Sequence, residues 1–243
     1  LASIVLKVEK RDYVPRVLIG TDASLNQDGK PTFLTFSTLT GIAFYGWAVP
    51  LSLSIEEEKL GVGMYLLTAG SSYLLPKLLT ENRNVTNAQG RMAGYGQITG
   101  IGLGMMIGAT INNDISFESL LAMGMLGSFS KGVLDFYLAE KWEFTNGDAS
   151  IYNSAQFFGT TVGLSTSEIF GLYKKENQSL SLGNILLFSA AGMYMGKALG
   201  DSKQYSIGDA YVFNTATTLG AITGGTFANY FDRKDASWHR SQG

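Results

Sequence analysis

A hydrophobic or threonine-rich stretch that closes on a glycine recurs four times along this chain. The glycines are Gly41, Gly100, Gly159 and Gly220, at intervals of 59, 59 and 61 residues, within STLTGI, GQITGI, AQFFGT and TTLGAI. A period of this length is typical of stacked copies of one supersecondary unit. The repeat therefore constrains the fold more than any single motif does.

A helix-start signal lies fourteen residues before each of the last three repeat glycines. The residues are Thr86, Thr145 and Ser206, followed three positions later by Gln89, Asp148 and Asp209. A Ser or Thr hydroxyl accepts from the N3 backbone N–H, and the N3 side chain accepts from the N-cap N–H. This pattern predicts that a helix begins at each position. The first copy has Gln27 and Lys30 there and lacks the box.

The helix predicted after each cap carries a small residue at every fourth position, which places these residues on one face. The second copy has Gly96, Gly100, Gly104 and Gly108. Small residues at this spacing allow the backbones of two helices to approach closely. Leucine at Gly100, Gly159 or Gly220 is therefore expected to destabilise the fold by overpacking.

A second helix is predicted before the capped helix in each later copy. The three ranges are about 56–79, 114–139 and 179–199, and Ser54 with Glu57 predicts a capping box for the first. The predicted fold is all-α, with helical-hairpin repeats of about 59 residues, about seven helices, and Gly/Ala/Ser small-xxx-small faces. The predicted segments are an N-terminal extension over 1–30 with a short strand at 3–8, a repeat domain over 31–231 and a polar tail over 232–243.

A β-rich alternative has support in segments such as FFGTTVGLSTS and YVFNTATTLGAITGG. The absence of cysteine and the glycine and aromatic content also suit an outer-membrane β fold. Poor alternation, elements of about 20 residues and the recurring caps favour helices.

Charged residues are absent over long runs of the capped segments. These runs are 31–55, 92–113, 149–167 and 210–231. A helix without a charged stripe is buried or spans a membrane, and about 20 mostly apolar residues match the thickness of a bilayer core. The mean hydropathy of +0.10 is modest, so a soluble or periplasmic helical repeat remains the competing interpretation.

Residues suited to chemistry are sparse. The chain has no cysteine and one histidine, His239, which argues against cysteine-ligated zinc and histidine-based triads. The net charge of −2 does not indicate nucleic-acid binding. The glycines from Gly102 to Gly108 imitate a dinucleotide motif but are predicted to lie inside a helix, where that motif does not function. We expect no catalytic, cofactor or metal residues.

Several polar residues nevertheless have two interpretations. Asp148 and Asp209 are interpreted as helix caps rather than a cation-binding ring. Glu118 and Glu168 lie near helix ends and are interpreted as interfacial residues. Lys131 and Asp135 are four positions apart in one helix, where pairing reduces the free-energy cost of two charges; the alternative is that this end of the helix is exposed to solvent. A polar stripe either lines a path or forms interhelical hydrogen bonds; it comprises Asn153, Gln156, Thr160, Asn214, Thr217 and Thr218.

The sequence thus predicts a non-catalytic structural or scaffold protein, membrane-embedded or tightly membrane-associated, with protein partners in a bacterial-type envelope assembly. Lipid is an expected partner; nucleotides and nucleic acids are not. The first alternative is a membrane channel or transporter component, with the polar stripe around a path. The second is a soluble or periplasmic binding module. An enzyme with a carboxylate site is a further class to which no motif points.

Overall fold

The computed structural model describes residues 25–173 and 177–240, with side chains up to residue 223. Every element in this part of the chain is a helix, which confirms the all-α fold class. The helices are α1 (Lys30–Ser52, with a π-helical turn at Gly41–Tyr45), α2 (Glu58–Leu79), α3 (Asn87–Ile111), α4 (Phe117–Lys141), α5 (Asn146–Ile169), α6 (Gln178–Ser202) and α7 (Ile207–Arg240). The predicted strand at 3–8 lies outside the described residues.

The three predicted capping boxes form, and they set where α3, α5 and α7 begin. Thr86 Oγ1 accepts from Gln89 N at 3.2 Å, and Thr86 N donates to Gln89 Oε1 at 2.8 Å. The same reciprocal bonds join Thr145 to Asp148 and Ser206 to Asp209. Each box satisfies first-turn N–H groups that would otherwise have no partner within the helix.

Three boundaries differ from the sequence prediction. Ser54 does not cap α2, because it adopts a left-handed backbone with φ of 52° and the helix begins after Glu57. The helix predicted to begin at about 114 begins at Phe117 as α4, because Ser116 caps it by accepting from Ser119 N at 3.2 Å. The backbone of α7 stays helical to Arg240, so the helix extends past the predicted end of the repeat domain into the segment 232–243, which the sequence describes as a polar tail.

Four helices pack side by side in a row, and each of the other three packs against one helix of the row. The row helices α1, α3, α5 and α7 pack consecutively, and the flanking helices α2, α4 and α6 pack on α1, α3 and α5 respectively. The capped ends of the row helices lie together: Gly29 N donates to Val85 O at 2.8 Å, and Thr145 Oγ1 donates to Tyr205 O at 2.9 Å. The row helices therefore run parallel to one another.

Flanking helices approach the row helices closely at three repeat glycines, Gly41, Gly100 and Gly159; at Gly41 the neighbour is the Ser72 side chain of α2. A methyl group at Gly100 would overlap the Gly127 carbonyl and lie 2.8 Å from Ser128 Cα; one at Gly159 would lie 3.0 Å from Gly192 Cα. Gly220 differs, because no atom of a neighbour lies within 4 Å of that methyl position. Within the described chain, leucine at Gly220 would therefore meet no neighbour, and the predicted overpacking has no structural basis at this position.

The interior combines apolar side chains such as Met92, Leu121 and Ile151 with polar ones, and many other large apolar side chains lie outside. Ser128, Asp135, Asp148, Gln156 and Ser189 are each 2% exposed or less. None of the α2 residues is buried, and nine large hydrophobic side chains between Leu60 and Leu79 are at least 40% exposed.

A matched pair of substitutions tests the close approach. Gly100→Leu should lower the free energy of unfolding by about 1–3 kcal/mol or more, because the side chain would have to displace the α4 backbone. Gly102→Leu, two residues away, should be neutral or stabilising by up to about 1 kcal/mol, since open space surrounds Gly102. Denaturant titration followed by helical circular dichroism measures both; equal effects would contradict the packing described.

Candidate functional site

A polar cavity of about 240 Å³ lies between α3, α5 and α7. Its lining consists of Tyr95, Ser154, Phe157, Asn214, Thr217 and Thr218. Ser154 Oγ hydrogen-bonds Asn214 Oδ1, and Asn214 Nδ2 donates to Ser150 Oγ at 3.4 Å. The structure thus brings half of the predicted polar stripe, the α7 half, to one cavity together with two aromatic side chains.

The α5 half of the stripe lies elsewhere. Asn153 and Gln156 are 6% and 2% exposed, and Asn153 Oδ1 and Gln156 Oε1 have no hydrogen-bond partner. Thr160 donates within its own helix, to Gln156 O at 3.0 Å. The predicted stripe is therefore a cavity wall on α7 and a set of buried amides on α5, rather than one continuous lining.

A second polar cluster surrounds the ion pair of α4. Lys131 Nζ lies 2.5 Å from Asp135 Oδ2, and the two residues are 9% and 1% exposed. Tyr152 of α5 places its ring centroid 5.7 Å from Lys131 Nζ, and the Asp135 carboxylate lies near the Tyr152 hydroxyl. Gly96 of α3 leaves room for the carboxylate, because a methyl group there would lie 2.5 Å from Asp135 Oδ2. The pair is therefore buried at a three-helix junction, and the interpretation of a solvent-exposed helix end is wrong.

The acidic residues of the caps act as caps. Asp148 accepts from Thr145 N at 2.9 Å and also from Tyr205 N at 2.8 Å, which ties the starts of α5 and α7 together. Asp209 accepts from Ser206 N at 2.9 Å, and hydrogen bonds from the Ser206 backbone and hydroxyl hold the pKa of this exposed carboxyl below its ordinary value. Among the residues described, no group of three or more His, Cys, Asp or Glu side chains is placed to hold a metal ion.

The remaining candidates lie apart from both clusters. Gly102 and Gly108 are inside α3, without the strand and turn that a dinucleotide motif needs. Glu118 is in the exposed first turn of α4, where hydrogen bonds from its own backbone and from Ser116 lower its pKa. Glu168 lies near the end of α5, and His239 falls on helical backbone whose side chains are not described.

Sequence reasoning missed two partners of these sites. Tyr152 belongs to the ion-pair cluster and Tyr95 to the cavity, and each looks like an ordinary core aromatic in the sequence. The usable signal was the pair of charges in the middle of an otherwise nearly uncharged helix, because such a pair needs a polar neighbour.

Comparison with protein families, with curated proteins and with solved structures found no match. Among the described residues, one helix, Lys30–Ser52, is long and apolar enough to cross a membrane, with a mean hydropathy of 1.2. A core helix of a soluble protein and a signal sequence share these properties, so this helix alone does not decide where the protein lies.

The ion pair makes a stability prediction. Asp135→Asn keeps the shape but leaves Lys131 as an uncompensated buried charge, which should cost about 3–5 kcal/mol of unfolding free energy. The double variant Lys131→Met/Asp135→Asn should regain most of that loss, because no charge remains buried. Denaturant titration measures both. A cost below about 1 kcal/mol for the single variant would indicate a solvated pair instead.

Proposed function

We propose that this chain is a non-catalytic structural protein whose helices lie in, or tightly against, a membrane as part of a larger envelope assembly. The observation that carries the proposal is the exposure of many large apolar side chains around an interior that is itself partly polar. Side chains such as Ser128, Asp135 and Gln156 are buried, whereas Leu66, Leu67 and many other large apolar residues are more than half exposed.

Exposure of this much apolar surface is costly for a protein surrounded by water. A soluble monomer rarely exposes a contiguous apolar surface as long as α2, since burying such a surface is the main drive to fold or associate. In a bilayer the same surface faces lipid at little cost, and helix association instead depends on close packing and interhelical hydrogen bonds. Both features occur here: glycine contacts between paired helices, and bonds such as Ser128 Oγ to Gln97 O at 2.7 Å.

The period of about 59 residues and the small-residue faces belong to this proposal. Hydrogen bonds between successive row helices support the period, because they recur at matching separations. Gln97 Nε2 donates to Ser37 Oγ across 60 residues at 3.0 Å, and Ser154 bonds Asn214 across the same separation. A regular array of this kind suits a scaffold, in which each unit contacts its neighbours.

Arginine placed on α2 tests the membrane role. Leu67→Arg, near the helix centre, should reduce the amount of chain retained in membranes after an alkaline wash, since arginine in mid-span costs about 2–3 kcal/mol. Leu79→Arg, at the helix end, is the matched control and should have little effect because the side chain reaches the interface. Extraction without detergent as a monodisperse helical protein, with both variants behaving like the parent, would contradict the proposal and favour the soluble module.

A channel or transporter component is the second candidate, favoured by the polar cavity between α3, α5 and α7. Its lining threonines and Asn214 would have to be wetted for a solute to pass. Asn214→Leu should then abolish ion or solute flux in liposomes, whereas Thr161→Val, which removes a bond within α5 alone, should not. Absence of flux from the parent protein would leave the structural role as the better explanation.

A further inference from the structure

We infer that the two ends of the row are complementary, and that α7 of one copy packs against α1 of a second copy as α7 packs against α5 within the chain. This inference rests on the proposed assembly role, to which it gives a partner. Its basis is a comparison of equivalent positions, which are counted here from the cap position of each row helix: 27, 86, 145 and 206.

The face that each row helix turns towards the next is buried in the first three helices and open in α7. Two positions after the cap stand Gly29, Ala88, Gly147 and Gly208. The first three are buried against the following cap; a methyl group at Gly147, for example, would lie 2.6 Å from the Ser206 carbonyl carbon. Gly208 is exposed, and near its methyl position lies only the Ser206 hydroxyl of its own cap, at 3.5 Å.

The same difference extends along the helix. Six positions after the cap, Phe33 is half-buried and Met92 and Ile151 are 0% and 1% exposed, whereas Val212 is 72% exposed. Because Gly208, Val212 and Thr215 lie on one helical face, these exposures describe one continuous surface. Terminal units of repeat proteins usually end in a polar face that closes the array, and Val212 with Tyr211, which is 61% exposed, does not make one.

The face that each row helix turns towards the previous one is open in α1. Four positions after the cap stand Pro31, which is exposed, and Gly90, Ala149 and Ala210, which are buried. Eight positions after the cap stand Thr35, which is exposed, Gly94 and Asn153, which are buried, and Asn214, which is half-buried. Among the residues described from 25 onward, no neighbour covers this face of α1, although the same face is covered in every later row helix.

These two open faces match each other by position. Within the chain, the residue nine positions after one cap meets the residue eight positions after the next: Ser154 bonds Asn214, and a methyl group at Gly94 would lie 2.7 Å from Phe36 Cβ. The corresponding open residues are Thr215 and Thr35, and both are exposed. Joining them continues the interface that the row already repeats.

The direction of the helices favours a second copy in this arrangement. All row helices run parallel, so α1 of a second copy placed beside α7 points the same way through a membrane as every row helix of the first. A contact between the two ends is heterologous, which produces rings or open filaments rather than closed pairs.

Cysteine cross-linking tests this contact in the full chain, which has no cysteine of its own. A mixture of Thr35→Cys and Thr215→Cys proteins in membranes should give disulfide-linked dimers on oxidation, since the equivalent internal positions lie within reach of a disulfide. The double variant Thr35→Cys/Thr215→Cys should give a reducible ladder of trimers and larger species. The matched control pairs Thr35→Cys with Leu126→Cys, an exposed position on α4, and should stay uncross-linked.

Three results would overturn the inference: no cross-link above the control level, dimers from Thr215→Cys alone that indicate an α7-to-α7 contact, or linkage confined within single chains of the double variant. Helical circular dichroism of each variant should match the parent, because both threonines are exposed. Membrane retention measured on the same samples separates the two proposals. Retention without cross-links would support the membrane role and contradict the contact between copies. Cross-links in a protein that is soluble without detergent would support the contact and contradict the membrane role.

Discussion

The close approach of paired helices at small residues sets the spacing on which the rest of the structure depends. At Gly100 and Gly127 the backbones of α3 and α4 lie in contact, and at Gly159 and Gly192 those of α5 and α6 do the same. Each interior glycine costs roughly 1 kcal/mol of helix propensity, which the dispersion contacts of two touching backbones offset. Large side chains do not fit where two backbones touch, so Phe44, Met92, Leu121 and Phe144 are buried at other points of the interior.

The polar part of the interior is related to the same spacing. Where two helix backbones touch, little room remains for leucine or phenylalanine, and Ser128 fits there while donating to the Gln97 carbonyl. The ion pair of Lys131 and Asp135 fits because Gly96 supplies space, and the ring of Tyr152 lies beside Lys131 Nζ. A buried pair of this kind adds little stability of its own but makes one arrangement of α3, α4 and α5 favourable over others.

The sequence predicted those parts of the structure that depend on local chemistry. The capping boxes at Thr86, Thr145 and Ser206 are decided within four residues, and the helices they begin were placed correctly. Ser54 matches the same pattern but sits in a left-handed turn, because the preceding helix ends there. Tyr152, the cavity and the open surroundings of Gly220 depend on which helices become neighbours, and spacing along one helix does not determine that.

The proposed row of repeated units leaves faces without a neighbour at its two ends. A unit that buries one face on its predecessor and another on its successor leaves both faces open at the ends of any finite row. In this chain the open faces at Pro31 and Thr35 and at Gly208 and Val212 keep the small or apolar character of their buried equivalents. Terminal units of repeat arrays usually carry a polar outer face, and Val212 and Gly208 do not supply one. Packing thus explains the interior, whereas the proposed contact with a second copy would explain the ends.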